Sequence, residues 1–299
     1  MRYLDPKADL TFKKVFGEHE DLVISLLNAL LPLRADEEVI EVEYLPAELV
    51  PDNPLRKNSI VDVRCVDAVG RQFIVEMQMI WSPEFLQRVL FNSAKAYVRH
   101  LDKGFDYSLL KPVYSLNLVN DIFEPQLPEY YHYFKLVHEE HTEKVIDGLH
   151  LVFVELPKFT PHSMSEKKMQ VLWLRYLTEI KDGTEKIPQE LLDNAETGKA
   201  ISVLETSSYN DAQLASYDKF WDTISIEKTL YNSGERKGRE EGLIEGEAVG
   251  MEKGRAEEKR KIASGMKQAG IPLETIAVIT GLPLEEVKSI SSPEIVNKN

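Results

Sequence analysis

Two acidic residues interrupt two consecutive apolar segments in the first third of the chain. Asp62 lies within Ile60–Val66 and Glu76 lies within Gln72–Met79, and both segments are rich in the β-branched residues typical of strands. Burying a carboxylate on an apolar strand is costly unless another group compensates its charge, and a bound cation can compensate two carboxylates at once. The pattern therefore indicates a metal site. The alternative is an exposed sheet face on which a neighbour such as Arg64 pairs with the acids.

The turn between the two strands decides whether the acids meet. If residues 67–71 form the loop, centred on Val69, Asp62 lies opposite Glu76 on one face, with Cβ atoms about 5 Å apart. Gln78 shares this face because strand side chains alternate with a period of two. The predicted register pairs Val66 with Gln72, Asp62 with Glu76, and Ile60 with Gln78. A two-residue turn at positions 69–70 would shift the register by one and separate the acids.

The segments around this hairpin predict helices and further strands. A first helix is predicted from about Leu10 to Leu31, with Asp9 as its N-cap and Gly17 as a point of interruption. A second is predicted from Glu84 to Leu101, since Ser82-Pro83 is typical of a helix start. The other predicted strands are Val39–Leu49, Lys111–Asn120, Tyr130–Val137 and Leu149–Leu156, and the other predicted helices are Ser165–Ile180 and roughly Thr197–Thr229. The order α-β-β-β-α-β over the first 120 residues predicts an α/β fold around a small mixed sheet.

Composition narrows the classes of protein that this chain can be. With 299 residues it can bury a substantial core, and its single cysteine, Cys65, excludes an internal disulfide and a cysteine-based zinc site. No apolar run approaches the roughly 20 residues of a membrane span, so we expect a cytoplasmic protein with no membrane partner. The net charge of −14 argues against a general nucleic-acid coat, but it does not exclude a nuclease with carboxylates at its site.

The C-terminal third has a different character. Glycine recurs at every fourth position from Gly234 to Gly254, with charged residues between. A period of four keeps these glycines on one helical face that drifts by about 40° per step. The segment is either a long helix whose glycine face allows close approach of a second chain, or a flexible charged linker; helix propensity favours the linker and strict spacing the helix. Beyond it, residues 271–290 have the spacing of a helix-turn-helix, with acidic chemistry that favours packing or assembly over reading DNA.

Four regions are predicted from these changes along the chain. They are a core over residues 1–160, a helical extension over 161–232, the glycine-repeat helix or linker over 233–262, and a small helical module over 263–299.

Several stretches of the sequence together resemble one protein family. They are DLTFKKVFG with LLNALL near the N-terminus, the hairpin segments VDV and IVEMQ, the helix FLQRVLFNSAKAYV, and ITGLPLEEV near the C-terminus. They are similar to the Rpn family, the recombination-promoting nucleases that are also classed with transposases, within the PD-(D/E)XK nuclease superfamily. The resemblance implies a restriction-endonuclease-like core for residues 1–160, a helical C-terminal region, and DNA as the partner.

The resemblance also implies roles for individual residues. Asp62 and Glu76, with the backbone carbonyl of Met77, would bind Mg²⁺ or Mn²⁺, and the metal would polarise the scissile phosphate and activate a water molecule. Gln78 stands where the superfamily has a lysine. A glutamine can orient a water molecule by hydrogen bonds, but it carries no positive charge. Arg88 or Lys95 would then supply the missing cation. Tyr97 would stack or form a hydrogen bond near the DNA, and Asp9 and Lys13 match the N-terminal motif of the family.

The family resemblance and the composition together leave two expected functions for this chain. The implied activity is a Mg²⁺-dependent DNA endonuclease associated with recombination or transposition, acting as a homodimer joined through the glycine-repeat region. The alternative is a non-catalytic DNA-binding or assembly protein that keeps a degenerate nuclease fold, which the acidic composition and Gln78 both favour. A two-carboxylate metal site acts on the phosphate and not on the sugar, so the sequence leaves RNA open as a substrate.

Overall fold

The computed structural model describes residues 2–49, 59–100, 106–161 and 168–290. The chain divides into two compact units, Met1–Ile226 and Glu227–Asn299. The helices of the first unit are α1 Asp9–Phe16, α2 Glu20–Leu30, α3 Pro83–Val98, α4 Lys168–Glu179, α5 Gln189–Asp193 and α6 Ala195–Val203. Its strands are β1 Val42–Tyr44, β2 Glu48–Leu49, β3 Ser59–Ile60, β4 Val63–Asp67, β5 Gln72–Gln78, β6 Val113–Val119, β7 Tyr131–His138 and β8 His141–Glu155. The helix α7, Asp211–Gln268, includes residues of both units, and α8 Leu273–Thr280 and α9 Leu284–Ser289 follow it.

Six of the strands form one mixed sheet in the order β1-β4-β5-β6-β8-β7. The β4–β5 hairpin is antiparallel, whereas β5, β6 and β8 are parallel neighbours. Every residue of β6 is buried, as expected for a central parallel strand covered on both faces. The mixed α/β sheet flanked by helices confirms the predicted fold class.

The two faces of the sheet are covered by different helices. Phe12 of α1, Phe16 of α1 and Trp173 of α4 belong to the main core on one face, where they pack with strand residues such as Val75. On the other face α3 places Phe85 and its apolar neighbours against β6 and β8. Because side chains alternate along β5, a residue one position from Val75 projects towards α3. Glu76 is therefore on the α3 face.

The register of the β4–β5 hairpin agrees with the five-residue loop and excludes the two-residue turn. Val66 pairs with Gln72 and Val63 pairs with Val75. Asp67 donates its backbone N–H to the carbonyl of Arg71, and Gly70 within the loop has φ of +88°, which favours glycine. The prediction that Ile60 pairs with Gln78 is wrong, because β4 begins only at Val63 and Ile60 pairs with Glu48 in a separate two-stranded sheet.

Several predicted element bounds need correction. The first helix is divided into α1 and α2 at Gly17, as its glycine indicated, but Asp9 is not the cap. Ala8 is the N-cap, and the carboxylate of Asp9 lies 2.5 Å from Lys13 on the next turn. The predicted strand Val39–Leu49 is divided between β1 and β2, which belong to different sheets. The predicted helix over 197–229 is interrupted after α6, and α7 starts at Asp211. The predicted end of the α3 segment at Leu101 lies outside the described residues.

The glycine repeat is helical. It lies within α7, so helix geometry and not a linker is found at this segment. At each repeat glycine from Gly234 to Gly254 an added Cβ would meet nothing within 4 Å among the described residues, the helix's own neighbouring backbone aside. In the second unit, Ala263 of α7, Ile276 of α8 and Val287 of α9 form a small buried cluster. No helix in the described part of the chain is long and apolar enough to cross a membrane.

Candidate active site

A cleft of about 1150 Å³ opens between the β4–β5 hairpin and α3. Asp62, Glu76 and Gln78 line it together with Met77 and Arg88. Asp62 immediately precedes β4, whereas Glu76 and Gln78 are at the carboxyl end of β5 on the face that α3 covers. The hairpin register thus brings the two predicted carboxylates into one cleft.

Glu76 is the most deeply buried acid of this cleft. The side-chain amide of Asn92 donates to its Oε1 at 3.1 Å, and a guanidinium nitrogen of Arg88 lies 3.5 Å from its Oε2. Burial raises the pKa of Glu76 to about 6, the positive charge of Arg88 opposes the rise, and the negative charge of Asp62 adds to it. At neutral pH the carboxylate is mostly ionised but insufficiently compensated, which suits a cation ligand.

Asp62 is held by the backbone of the opposite strand. The N–H of Met77 donates to its Oδ2 at 2.8 Å, and the ammonium of Lys13 lies 3.8 Å from its Oδ1. Burial raises the pKa of Asp62, while the Met77 hydrogen bond and the charge of Lys13 oppose the rise. The structure therefore brings Lys13 to the margin of the cleft, with Asp9 as the second partner of its ammonium.

The backbone carbonyl of Met77 faces the same side as Asp62. In a strand the N–H and C=O of one residue point to the same neighbouring strand, and the Met77 N–H is directed at Asp62. The next residue, Gln78, directs its carbonyl the other way, where it accepts from Asn120. The last paired residues of β4 and β5 are Val63 and Val75, so the Met77 carbonyl lies just beyond the ladder.

Gln78 is bonded at both ends of its amide. Its Oε1 accepts a hydrogen bond from Arg88 at 2.6 Å, and its Nε2 donates to the carbonyl of Ile80. Arg88 thus joins Gln78 to Glu76 and places a guanidinium beside the two. Of the two cations considered for the missing lysine, Arg88 is the one that the structure brings to the carboxylates.

Two of the predicted auxiliary residues lie elsewhere. Lys95 does not line the cleft, and its ammonium donates to the backbone carbonyl of Leu49 at 2.7 Å. Tyr97 packs with the small cluster that includes Val61 and Ile74, and its ring lies about 3.5 Å from the position of a Cβ on Gly148. Tyr97 is therefore a packing residue between α3 and the sheet.

A comparison with protein families matches residues 6–225 to the family described as PD-(D/E)XK nuclease family transposase. The chain belongs to this family. Comparisons with curated proteins and with solved structures gave no match. The matched residues nearly coincide with the compact unit Met1–Ile226, so the second unit lies outside the family match. The PD-(D/E)XK membership confirms the family resemblance and supports a nuclease or transposase-like function.

Asn92 is the residue of this PD-(D/E)XK site that the sequence did not reveal. Its side chain is buried, its Nδ2 holds Glu76, and its Oδ1 is a buried oxygen without a hydrogen-bond partner in the described structure. The only sequence signal was its position one turn after Arg88, which places both side chains on one face of α3. A neutral amide on a helix carries no chemical signature of its own, so this spacing alone was too weak to indicate a role.

The donor set fits a hard divalent cation that keeps much of its own water. Asp62 and Glu76 supply two carboxylates, and the Met77 carbonyl is a third oxygen on the same side. Among the described residues no group of three or more acidic, histidine or cysteine side chains is arranged to hold a metal. Two carboxylates plus a carbonyl agree with Mg²⁺ coordination, in which water fills several positions, and not with a closed protein cage.

Replacing Glu76 by glutamine tests the raised pKa. The folded protein binds this proton more tightly than the unfolded chain does. With metal chelated, the contribution of Glu76 to stability therefore falls as pH rises from the ordinary pKa of 4.5 through about 6. We expect Glu76→Gln to exceed wild type by roughly 2 kcal/mol in free energy of unfolding near pH 8, and to match it near pH 4. Urea unfolding in EDTA at several pH values measures the difference.

The control is Glu84→Gln, which removes an exposed acid of the same cleft. This variant should show no gain that grows with pH. A wild-type protein and a Glu76→Gln variant with parallel stability curves would contradict the raised pKa.

Proposed function

We propose that this chain is a divalent-metal-dependent DNA endonuclease that hydrolyses phosphodiester bonds. The observation that carries the proposal is the convergence of Asp62 and Glu76 in one cleft, beside a backbone carbonyl and a guanidinium, in a chain of the PD-(D/E)XK nuclease family. The family supplies DNA as the substrate class, and recombination or transposition is the process to which we assign the cleavage.

Asp62, Glu76 and the Met77 carbonyl would hold Mg²⁺ or Mn²⁺. When bound, the metal supplies a Lewis acid for the phosphate oxygen and lowers the pKa of a coordinated water. The chain's own contribution is to fix its ligands: Met77 N–H orients Asp62, and Asn92 orients Glu76. The burial that raises the pKa of Glu76 also keeps bulk water from competing for it.

Arg88 would take the electrostatic role of the superfamily lysine. Its guanidinium is positioned by Gln78 and lies next to Glu76, where positive charge would oppose the negative charge that grows on the phosphate. Gln78 would then act by positioning Arg88, since both ends of its amide are already engaged.

The second candidate function is a DNA-binding or assembly protein without catalysis. The absence of a lysine at position 78 and the net charge of −14 favour it. Purified wild-type protein that binds DNA but leaves it intact with Mg²⁺ and with Mn²⁺ would support this candidate against the nuclease.

Removing either carboxylate is the direct test of the nuclease. We expect Asp62→Ala and Glu76→Ala to reduce Mg²⁺-dependent nicking of supercoiled plasmid by more than about 100-fold, because each deletes a metal ligand. Circular dichroism and thermal unfolding check that both variants remain folded. Glu84→Ala is the matched control and should nick like wild type. Undiminished cleavage by either ligand variant would refute the assignment of the site.

The role of Arg88 has its own test. We expect Arg88→Ala to reduce the nicking rate by about 10²- to 10³-fold, the usual effect of losing a positioned charge donor, while Lys95→Ala has a smaller effect, because its ammonium does not reach the carboxylates. It should also move the acidic limb of the pH–rate profile upward, because Arg88 lowers the pKa of Glu76. Adding Gln78→Lys to Arg88→Ala should restore part of the rate. A double variant as inactive as the single one would count against the substitution of Arg88 for the lysine.

We also propose that the chain forms a homodimer through the glycine face of α7. The open surface at each repeat glycine supports this, since a glycine every fourth residue lowers helix propensity and no described residue packs against those positions. Gly246→Leu should convert the dimer to a monomer in sedimentation velocity experiments, whereas Glu247→Leu, about 100° around the helix, should not. If the wild-type protein sediments as a monomer at micromolar concentration, the dimer is excluded.

A further inference from the structure

The cleft has an apolar wall beside its carboxylates. Phe91 of α3 lines it with 45% of its surface exposed, and Leu90 and Ile60 are further large apolar side chains that line the cleft and remain exposed. Large apolar residues that share a cleft with charged groups are a recognised mark of a binding surface. Neither the metal ligands nor Arg88 explains why this wall is apolar.

Helix geometry separates this wall from the metal ligands while keeping both in one cleft. Asn92 points inward to Glu76, and Phe91, one residue earlier, is rotated by about 100° around α3. The ring therefore lines the same cleft as the carboxylates, from a different side of α3 than the residue that holds Glu76. The ammonium of Lys95 lies 5.2 Å from the ring centroid and is itself held by the carbonyl of Leu49, which restricts the orientation of the ring through a cation–π contact.

The chemistry of DNA indicates what such a wall can bind. A duplex keeps its bases stacked on one another, so it offers an aromatic wall beside a phosphate-cleaving site no free base face to stack on. An unpaired base can stack on a phenyl ring, with an effect of about 5- to 150-fold on affinity per base.

Arg88 is the one lysine or arginine that lines the described cleft, so phosphate contacts there are few. Stacking is independent of charge and suits a chain with net charge −14.

We propose that Phe91 stacks on an unpaired base next to the scissile phosphate, so that the substrate class is single-stranded or locally unpaired DNA, such as a flap, a hairpin end or a displaced strand. The inference deepens the proposed nuclease function and rests on it for the position of the scissile phosphate. Phe91 takes the stacking role that the family resemblance implied for Tyr97, which is packed against the sheet.

A second copy of this chain is the main rival occupant of the wall. A stable protein interface buries about 800 Å² on each partner, which three side chains inside a cleft do not provide. Continuity with Asp62 and Glu76 instead favours a ligand that brings a phosphate and a flat apolar group together. A nucleotide with an unstacked base has both.

Binding is measured on the full chain in EDTA, which prevents metal-dependent cleavage. Fluorescence anisotropy with a labelled 20-nucleotide single strand and its duplex gives the two affinities for wild type, Phe91→Ala, Phe91→Leu and Phe91→Trp. We expect at least tenfold tighter binding of the single strand, a loss of about 5- to 150-fold in Phe91→Ala, a smaller loss in Phe91→Leu, and retention in Phe91→Trp. The matched control is Phe134→Ala, since Phe134 is 47% exposed on β7 and does not line the cleft.

Photocrosslinking identifies the contact itself. Single strands that carry 5-iodouracil at one position should crosslink to the peptide containing Phe91, and the crosslink should be lost in Phe91→Leu and kept in Phe134→Ala. Equal binding by wild type and Phe91→Ala, a preference for duplex, or a crosslink elsewhere would overturn the proposal. So would a Phe91→Ala variant whose only change is its mass in sedimentation, because that result assigns the wall to a second copy.

The test of stacking by Phe91 and the test of DNA cleavage can fail independently of each other. If wild-type protein cleaves no DNA with Mg²⁺ or Mn²⁺ but binds single strands through Phe91, the stacking surface stands and the hydrolase fails. If it cleaves DNA and Phe91→Ala changes neither binding nor the ratio of single-strand to duplex cleavage, the hydrolase stands and the stacking surface fails.

Discussion

The site depends on burying Glu76 between β5 and α3. A carboxylate in this position is unfavourable when ionised. Asn92 donates one hydrogen bond to it and a guanidinium nitrogen of Arg88 lies 3.5 Å from its Oε2, and both reduce that cost. The negative charge of Asp62 increases it. The hairpin brings the two acids into one cleft, and α3 supplies the neutral and the positive partner of Glu76. The two acids are therefore arranged to bind a cation only when α3 is packed on the sheet.

The sequence predicted the part of the site that depends on local geometry. Alternation along two strands and the length of the loop between them predicted a register that the structure has over Val63–Val66. Asp62 lies one residue before this ladder and is not paired with Glu76 in it, but both acids line one cleft. The same reasoning failed where the pairing partner is distant in the chain. Ile60 leaves the hairpin to pair with Glu48, and the predicted strand over 39–49 is shared between two sheets, because strand composition does not specify which strand is the neighbour.

For α3 too, the sequence predicted the local structure but not how the helix packs on the sheet. Its existence and its start followed from Ser82-Pro83 and the apolar spacing. Arg88 and Lys95 are seven residues apart, on nearly one face and about 10 Å apart along the axis, so the choice between them required the position of α3 along β5. Rotation decides between adjacent residues, because one residue turns a side chain by about 100°. Asn92 and Phe91, adjacent in sequence, differ by this rotation, so their separate environments could be assigned only once the helix was docked on the sheet.

The engagement of Gln78 at both ends has a consequence for how such a site responds to its ligand. A lysine on β5 would be a fixed part of the sheet, whereas Arg88 belongs to a helix that also presents Phe91 one turn away. If a base on Phe91 and a phosphate near Arg88 are held by the same rigid helix, a small displacement of that helix changes charge placement and base contact together. Discrimination between ligands would then be expressed in turnover more than in affinity, because a poorly seated base leaves the guanidinium out of line.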